Sequence, residues 1–334
     1  MVETNVHYPT DSNLLFDATR KAIELTAKLY DELELPGWRQ YKSLVGKCKS
    51  KLRAVQNIRH STSKDEEKKV RRAQELKDRY SDFVDYCEKQ VSKIAAVVQT
   101  INKLNLLSPG CSTKEIEMYI EYAQLFQDQI RHRVLAGEKI PHDEKVFSIF
   151  EPHTEWIVKG KAGINQELGL RVCVVTDADG FTLHHKVMQR QTDPEIAVEI
   201  MREAKDRFPS IASCSFDKGF WSTKNKKQLD SLLKTPALLK RGRLSQNERE
   251  QQQSAEFIEA QKGHSAVESA INAHENHGLD KCPDKGFYGF KRYVSLAVLA
   301  RNIQHLGALL IKKEKLSQKH SAAIKRGLRH HSAA

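Results

Sequence analysis

The sequence predicts an α/β protein in which a mixed sheet is flanked by helices, with a large all-helical insertion after the first strand. Two observations lead to this prediction. From Leu170 onward, short β-branched stretches alternate with helical ones, which is typical of a sheet covered by helices. Between 11 and 145, apolar residues recur every three or four positions, which predicts long helices that pack on one another.

These patterns divide the chain into four segments. Residues 1–10 contain the first core strand, 11–145 the helical insertion, 146–311 the rest of the core, and 312–334 a basic C-terminal tail that we expect to be flexible. The 334 residues suffice for two domains, or for one domain with a large insertion.

Composition indicates a soluble protein with a polyanionic partner. Apolar residues make up 39% of the chain and charged residues 29%, so there is material for a core. The net charge is +12 and the sequence pI is about 9.3, and nucleic acid is the commonest partner of so basic a protein. A basic surface that is only solvated is the alternative.

Cysteine usage and hydropathy exclude several classes of protein. The six cysteines lie far apart and form no paired CxxC motif: Cys48, Cys87, Cys111, Cys173, Cys214 and Cys282. This argues against a secreted disulfide framework and against a zinc knuckle, and it fits a reducing cytoplasm. The longest apolar tract, Tyr293 to Ile311, is interrupted by Arg301, Asn302, Gln304 and His305, so we expect no membrane span.

The first elements follow from alternation and helical spacing. Apolar and polar residues alternate from Val2 to His7, which predicts a strand. Asp11-Ser12 can cap the first helix, whose apolar face runs from Leu15 to Leu29, and Pro36-Gly37 closes it. A second, basic helix is expected from Trp38 to about Asn57.

A long third helix carries a near-heptad apolar seam. Its residues are Leu76, Tyr80, Phe83, Cys87, Val91, Ile94, Val98 and Ile101. A fourth helix, from Ser112 to Ala136, ends at Gly137. Its predicted buried residues are Ile116, Met118, Tyr119, Tyr122, Phe126 and Ile130. We expect these helices to form an antiparallel bundle. Pairing of the seam with a second copy, which would make a homodimer, is the alternative.

Beyond the insertion, the sequence predicts a hairpin followed by alternating helices and strands. LRVCVVT and FTLHHKVM are strands joined by the turn Asp177–Gly180. Thr192 and Glu195 form a capping box for the next helix. A short strand, a helix capped by Ser222 and the strand PALLK follow, whereas 241–261 is very polar and is predicted to be a linker.

Two acids stand where a ligand site is expected. The stretch SIASCSFDKGFW predicts a short buried strand that ends at Asp217, and open α/β sheets bind ligands at the C-terminal ends of their strands. Gly219 would allow backbone or substrate to approach closely. Glu268 lies among small and apolar residues of a helical stretch, so we expect it to face protein rather than water. Two such carboxylates suggest a metal site.

Three stretches together resemble the catalytic half of a DDE transposase from a bacterial insertion sequence. They are VETNVHYPTDSNLLFDA, DKGFW and HSAVESAINAHENHGLDKCPDKGFYGFKRYV. The resemblance covers Val2 to Ser12 and most of Phe150 to Leu310. It implies an RNase H-like core and DNA transposition, in which DNA strands are cut and joined at transposon ends by two-metal phosphoryl transfer.

The resemblance also assigns roles to particular residues. It implies that Asp217 and Glu268 are catalytic and hold Mg²⁺ or Mn²⁺. It implies transposon-end and target DNA as partners, no membrane, and a bacterial cytoplasmic location associated with the nucleoid. The residues expected to contact DNA are Lys159, Lys161, Lys218, Trp221, Lys224, Lys227, His264, Lys291, Arg292 and Arg301.

The resemblance is incomplete at two points. The family carries its first catalytic Asp a few residues before VETN, whereas this sequence begins at Met1, inside that strand. We therefore expect a remnant strand and a catalytically incompetent chain, in which Glu3 is the only nearby acid that could substitute. Many relatives carry Tyr, Arg and Lys around the last Glu, where this sequence has Gln261, His264 and Glu275. The alternatives are a non-catalytic DNA-binding remnant and another RNase H-like nuclease.

Other polar residues have simpler interpretations. Asp177 and Asp179 lie at a turn, where backbone chemistry alone favours Asp, so we expect a turn role rather than metal binding. His274 and His277 have a spacing that a metal could use, but with an oxygen-preferring metal expected, hydrogen bonding or DNA contact is favoured. Trp221 is expected to cap the core rather than to stack on a DNA base.

Overall fold

The structure is a computed structural model that describes residues 1–59, 65–106, 110–141, 144–158 and 166–331. It separates into two compact units. We call Val6–Pro152 the helical region, and Met1–Asn5 together with His153–Ala334 the sheet region. The chain is about 65% helical and contains a mixed sheet with several helices, which confirms the predicted α/β class.

Four helices build the helical region. They are α1 (Asp11–Glu32), α2 (Tyr41–Arg59), α3 (Glu66–Lys103) and α4 (Thr113–Ile130). The cap of α1 is Thr10, whose hydroxyl accepts a hydrogen bond from the Asn13 amide (3.2 Å), whereas Asp11 and Ser12 already lie in the first helical turn. A π-helical turn, Arg131–Ala136, continues α4, and Gly137 ends it in the left-handed conformation (φ 77°), as predicted.

The core of the helical region is one cluster to which all four helices contribute. The α3 seam is buried from Tyr80 to Ile101, so this face packs within the bundle. On α4, Ile116, Phe126 and Ile130 are fully buried. The prediction that Met118 is buried is wrong: its side chain is 37% exposed, because it lies on the helix face opposite Ile116.

The described residues of the sheet region form seven strands. They are β1 (Val2–Thr4), β2 (Glu155–Val158), β3 (Gln166–Thr176), β4 (Thr182–Met188), β5 (Ser213–Phe216), β6 (Thr235–Leu238) and β7 (Lys281–Cys282). Five of them form a mixed sheet in the order β2-β3-β1-β7, with β4 also paired to β3. The β3–β4 hairpin confirms the predicted one, whereas β2 and β7 lacked a recognisable sequence pattern.

A close backbone approach fixes the register of the short first strand. β1 runs antiparallel to β3, with Val2 opposite Leu170 and Glu3 opposite Gly169, and parallel to β7. A Cβ atom on Gly169 would lie 2.0 Å from the Val2 carbonyl oxygen, so only glycine fits there. Val2 and Thr4 are buried, while Glu3 lies on the opposite, half-exposed face.

Strands β5 and β6 form a separate parallel pair. Among the described residues, β3 from Arg171 to Thr176 pairs with β4 alone, since β1 reaches only to Leu170. The β3 side chains from Arg171 to Thr176 are accordingly half-buried, whereas Leu170 is fully buried. The short β1 therefore leaves one edge of β3 open.

Six helices complete the sheet region. They are α5 (Asp193–Arg207), α6 (Thr223–Leu232), α7 (Gln246–Gln253), α8 (Ala255–Lys262), α9 (Ser265–His274) and α10 (Gly286–His331). The Thr192–Glu195 capping box and the Ser222 cap are confirmed. Two predictions are wrong. The expected linker 241–261 contains α7 and α8, capped by Ser245 and Ser254, and the expected flexible tail is helical to His331.

Candidate functional site

Asp217 directly follows β5 and starts a short 3₁₀ turn, Lys218–Phe220. Phe216, the last residue of the strand, is buried and anchors this end of β5. Asp217 itself is exposed, and its Oδ1 accepts a hydrogen bond from the Lys218 amide at 2.6 Å. One carboxylate oxygen is thus held by the backbone, and the other is free to meet a ligand from solvent.

Glu268 lies near the start of α9 and is exposed, so the prediction that it faces protein is wrong. One of the apolar neighbours that suggested burial, Ile271, is itself 41% exposed. The helix is anchored nearer its C-terminal end, where His274 is buried. Glu268 therefore presents its carboxylate to solvent, as Asp217 does.

One hydrogen bond joins the two stretches that carry these acids. Ser215 Oγ lies 3.3 Å from His264 Nδ1, the residue that immediately precedes α9. Asp217 is two extended residues from Ser215, about 7 Å along the chain. Glu268 is four helical residues from His264, about 6 Å along the helix axis. The structure thus brings the two motifs together, although they are distant in sequence.

A third acid lies beside the Asp217 turn, and the sequence analysis did not single it out. A Cβ atom on Gly219 would be 2.8 Å from Asp193 Oδ2, so this glycine provides space for the carboxylate. The other oxygen, Oδ1, lies 3.8 Å from Arg171 Nη1. The only signal for Asp193 was its place in the first turn of a capped helix. Across the described residues, no group of three or more His, Cys, Asp or Glu is arranged to hold a metal ion.

Basic candidates surround the Asp217 turn. Lys218, Lys224 and Lys227 are all exposed. Trp221 is half-buried against the cluster that includes Phe216, as expected for a residue that caps the core, and Lys240 Nζ lies 5.7 Å from its ring centre. The ring therefore already has a cationic neighbour.

The other basic candidates lie on α10 or outside the described residues. Lys291 is exposed, with Nζ 5.2 Å from the Phe287 ring centre. Arg292 donates to Asp284 Oδ2 at 2.6 Å, which raises the pKa of the guanidinium. Arg301 is half-buried and donates to Gln304. Lys159 and Lys161 fall outside the described residues.

The two histidines after Glu268 make hydrogen bonds, as expected. His274 Nε2 lies 2.7 Å from Thr182 Oγ1, and burial, followed by the charges of Arg301, His185 and His277, lowers the His274 pKa. His277 Nδ1 donates to the Ala273 carbonyl at 2.6 Å.

The acid at the hairpin turn also has its expected structural role. Asp177 Oδ1 accepts hydrogen bonds from the amides of Asp179 (3.0 Å) and Phe181 (2.8 Å). Both bonds close the turn between β3 and β4, so they account for this acid without a metal ion.

No protein-family model, no curated protein and no solved structure matches this chain. The function is therefore argued from the residues themselves. They provide two exposed carboxylates on elements joined by the Ser215–His264 contact, with exposed lysines on the adjoining turn and helix.

Proposed function

We propose that this chain is part of a DDE-type transposase with an RNase H-like core, a class of enzyme that cuts and joins DNA strands with Mg²⁺ or Mn²⁺, and that Asp217 and Glu268 are two of its catalytic carboxylates. The observation that supports it best is the 3.3 Å contact between Ser215 and His264, because it joins the strand that ends at Asp217 to the helix of Glu268. Exposed lysines, including Lys218 and Lys224, supply positive charge beside Asp217 for a phosphate backbone.

The chemistry of the two acids fits Mg²⁺. This ion prefers oxygen ligands, keeps several waters, and is usually anchored by one or two carboxylates together with substrate phosphate. Asp217 and Glu268 are exposed carboxylates, and the Lys218 amide already orients one Asp217 oxygen. In this proposal the two carboxylates anchor the ion, and water and substrate phosphate supply its other ligands.

Each residue has a defined part in this proposal. Bound divalent ions supply activation of a water or a 3′-hydroxyl and stabilisation of charge on the leaving oxygen. Asp217 and Glu268 hold these ions at the strand and helix ends. Lys218 contacts a DNA phosphate. His264, whose Nδ1 is engaged by Ser215, has Nε2 left to donate to another phosphate, a weaker contact than arginine would make.

The register of β1 supports a place for a third carboxylate in an N-terminally extended chain. With Val2 opposite Leu170, each earlier residue would lie opposite one residue further along the open edge of β3. An acid four positions before Val2 would face Val174. Cys173 and Val175 pack against the cluster that includes Phe216, so β5 lies near this part of β3. Such an acid would thus lie between β3 and β5, towards Asp217.

The test compares three proteins in a plasmid-nicking assay with Mg²⁺ or Mn²⁺. They are the chain itself, a version extended by a strand with Asp four positions before Val2, and the same extension with Asn there. We expect metal-dependent nicking from the Asp extension only, and its loss with Asp217→Asn or Glu268→Gln. Glu256→Gln, an exposed acid on α8, is the matched control and should retain activity. Nicking that survives Asp217→Asn would refute the proposal.

A non-catalytic DNA-binding protein is the second candidate. The exposed Lys218, Lys224 and Lys227 support it, because phosphate contacts from lysines need no catalytic carboxylate. The same experiment separates the two candidates. DNA binding by both the chain and its Asp extension, with no nicking by either, would support the binding protein.

A further inference from the structure

An apolar stripe on α10 is exposed to solvent. Its residues, Leu296, Leu299, Ile303, Leu306 and Leu310, are each between 48% and 61% exposed. They recur at intervals of three, four, three and four, the period of a helix that packs along a second helix. Soluble monomers rarely expose a continuous apolar stripe of this kind, so we infer that another surface covers it.

The opposite face of the same helix is already occupied. Phe290, Val294 and Val298 are buried in a cluster with Val2 and Leu170. Further along, Asn302 accepts from the Thr182 amide (3.0 Å) and donates to the Thr182 carbonyl (2.9 Å). The stripe therefore faces away from the sheet that α10 covers.

The polar residues of α10 favour a protein partner over a lipid bilayer. By length and composition, α10 within Gly286–Ser321 could cross a membrane, which the sequence analysis did not expect. However, Asn302 and His305 attach it to the hairpin: the His305 Nε2–H donates to the Asp179 carbonyl at 2.6 Å. A spanning helix would be apolar on all faces, whereas α10 carries the polar side chains of Asn302 and His305 on the face opposite the stripe.

We propose that the stripe is a dimer interface, in which α10 pairs antiparallel with α10 of a second copy of this chain. In this pairing Ile303 of each copy lies opposite Leu306 of the other, and Leu299 lies opposite Leu310. The stripe is thus complementary to its own reversed copy, as a two-fold symmetric interface requires. Ala300 and Gly307 flank it, and a Cβ at Gly307 would meet only open space, so the two helices can approach closely.

Charge selects the antiparallel direction. After the stripe, α10 continues with a basic run that contains Lys312, Lys313, Lys315 and Lys319 and one acid, Glu314. In a parallel pair these two runs would lie side by side and repel each other, whereas the antiparallel pair places them at opposite ends. The lysines of this run are exposed on α10.

The first experiment measures the oligomeric state of the full chain by sedimentation velocity over a range of concentrations. We expect a dimer that dissociates on dilution, and a monomer at all those concentrations for Ile303→Glu. Val70→Glu, at a 71% exposed apolar position on α3, is the matched control and should remain dimeric. A monomeric wild-type chain, or an Ile303→Glu variant that dimerises normally, would overturn the proposal.

The second experiment tests direction by disulfide formation. Leu299→Cys mixed with Leu310→Cys should form a covalent dimer on mild oxidation, whereas Leu299→Cys alone should not, because its two copies would lie about 16 Å apart along the helix axis. Efficient cross-linking of Leu299→Cys to itself would indicate a parallel pair. Co-flotation of the wild-type chain with phosphatidylcholine or phosphatidylglycerol vesicles, lost in Ile303→Glu, would indicate a membrane surface instead. Either result would overturn the proposed antiparallel dimer.

Discussion

The helical region and the sheet region differ in how completely they bury their own elements. The helical region has one core cluster, in which Phe83, Phe126 and Ile94 are fully buried. The sheet region has two smaller clusters of buried apolar residues, one around Phe290 and one around Phe216. Each region is a compact unit, but among the described residues the helical region has one core cluster and the sheet region has two.

The difference indicates where stability and function are to be found. In the sheet region, β3 keeps an open edge from Arg171, Asp217 and Glu268 point to solvent, and α10 exposes an apolar stripe. Incompletely packed segments of this kind open more easily than a closed core and are common at binding sites. We therefore expect core substitutions to cost most in the helical region, and substitutions that change binding to lie in the sheet region.

The largest expected effect is on the stability of the helical region. Phe126→Ala should lower its free energy of unfolding by about 3–5 kcal/mol, since it removes a fully buried ring. Urea unfolding can be followed by Trp38 fluorescence after Trp156 and Trp221 are changed to Phe, because these are the three tryptophans of the chain. Met118→Ala, on the exposed face of α4, should change the free energy of unfolding by about 0.5 kcal/mol or less. Equal losses would contradict a closed core.

A smaller loss is expected where β1 meets β3. Gly169→Ala should cost about 1–3 kcal/mol, because the new methyl group would collide with the Val2 carbonyl. Hydrogen exchange should show faster exchange at Val2–Thr4. Gly46 lies within α2, and a Cβ atom added there would meet only open space. Gly46→Ala should therefore stabilise the protein by about 0.5–1 kcal/mol. Unchanged protection of β1 in Gly169→Ala would show that the observed register is wrong.

DNA binding should distinguish the two regions by where the positive charge lies. Changing Lys218, Lys224 and Lys227 together to Glu should weaken duplex binding by about tenfold or more, ~1.4 kcal/mol, and reduce the salt slope by about 2 to 3. The control changes three exposed lysines of the helical region to Glu, with the same change in net charge: Lys42, Lys47 and Lys49. Fluorescence anisotropy, recorded from low to physiological salt, measures both the affinity for duplex DNA and its salt slope. Equal weakening by the two triple variants would indicate that DNA binding depends on the overall charge of the protein and not on the lysines near Asp217.

The smallest effect concerns pH. Burial lowers the pKa of His274, and also that of His185, below the ordinary value of about 6.5. Below that pH the unfolded chain binds protons that the folded chain does not, so stability should fall as the pH drops from 6.5 towards the folded pKa. His274→Gln should weaken this dependence, whereas the change His320→Gln, at an exposed position, should not. A wild-type unfolding midpoint that rises on acidification would contradict the lowered pKa values of His274 and His185.

Local sequence signals predicted the fold better than non-local ones. The α3 seam repeats every three or four residues and the Thr192–Glu195 capping box lies within one helical turn, and both were predicted correctly. Helices α7 and α8 were missed because Phe257 is their one buried apolar residue, so apolar periodicity carried no signal, although Ser245 and Ser254 are recognisable caps. The two-residue β7 depends on pairing with β1, which no local pattern records.

The candidate site could be predicted only in part. Asp217 follows a strand with a clear pattern, so its position at a strand end was predictable. The exposure of Glu268 could not be predicted from the sequence, because it depends on whether another element covers α9. Asp193 was missed because its proximity to the Asp217 turn depends on the packing of α5 beside Gly219. The antiparallel arrangement of the bundle and the catalytic role of the two acids remain predictions.

The most direct test of the central claim is a crystal structure of the chain grown with Mn²⁺, with the ion located by its anomalous scattering. We predict that the Asp217 and Glu268 carboxylates face each other and that an anomalous peak lies within about 2.0–2.4 Å of an oxygen of each. The Asp217→Asn variant should lose this peak. Carboxylates that point into different solvent regions, or a manganese peak bound only elsewhere, would contradict the proposed metal-dependent site.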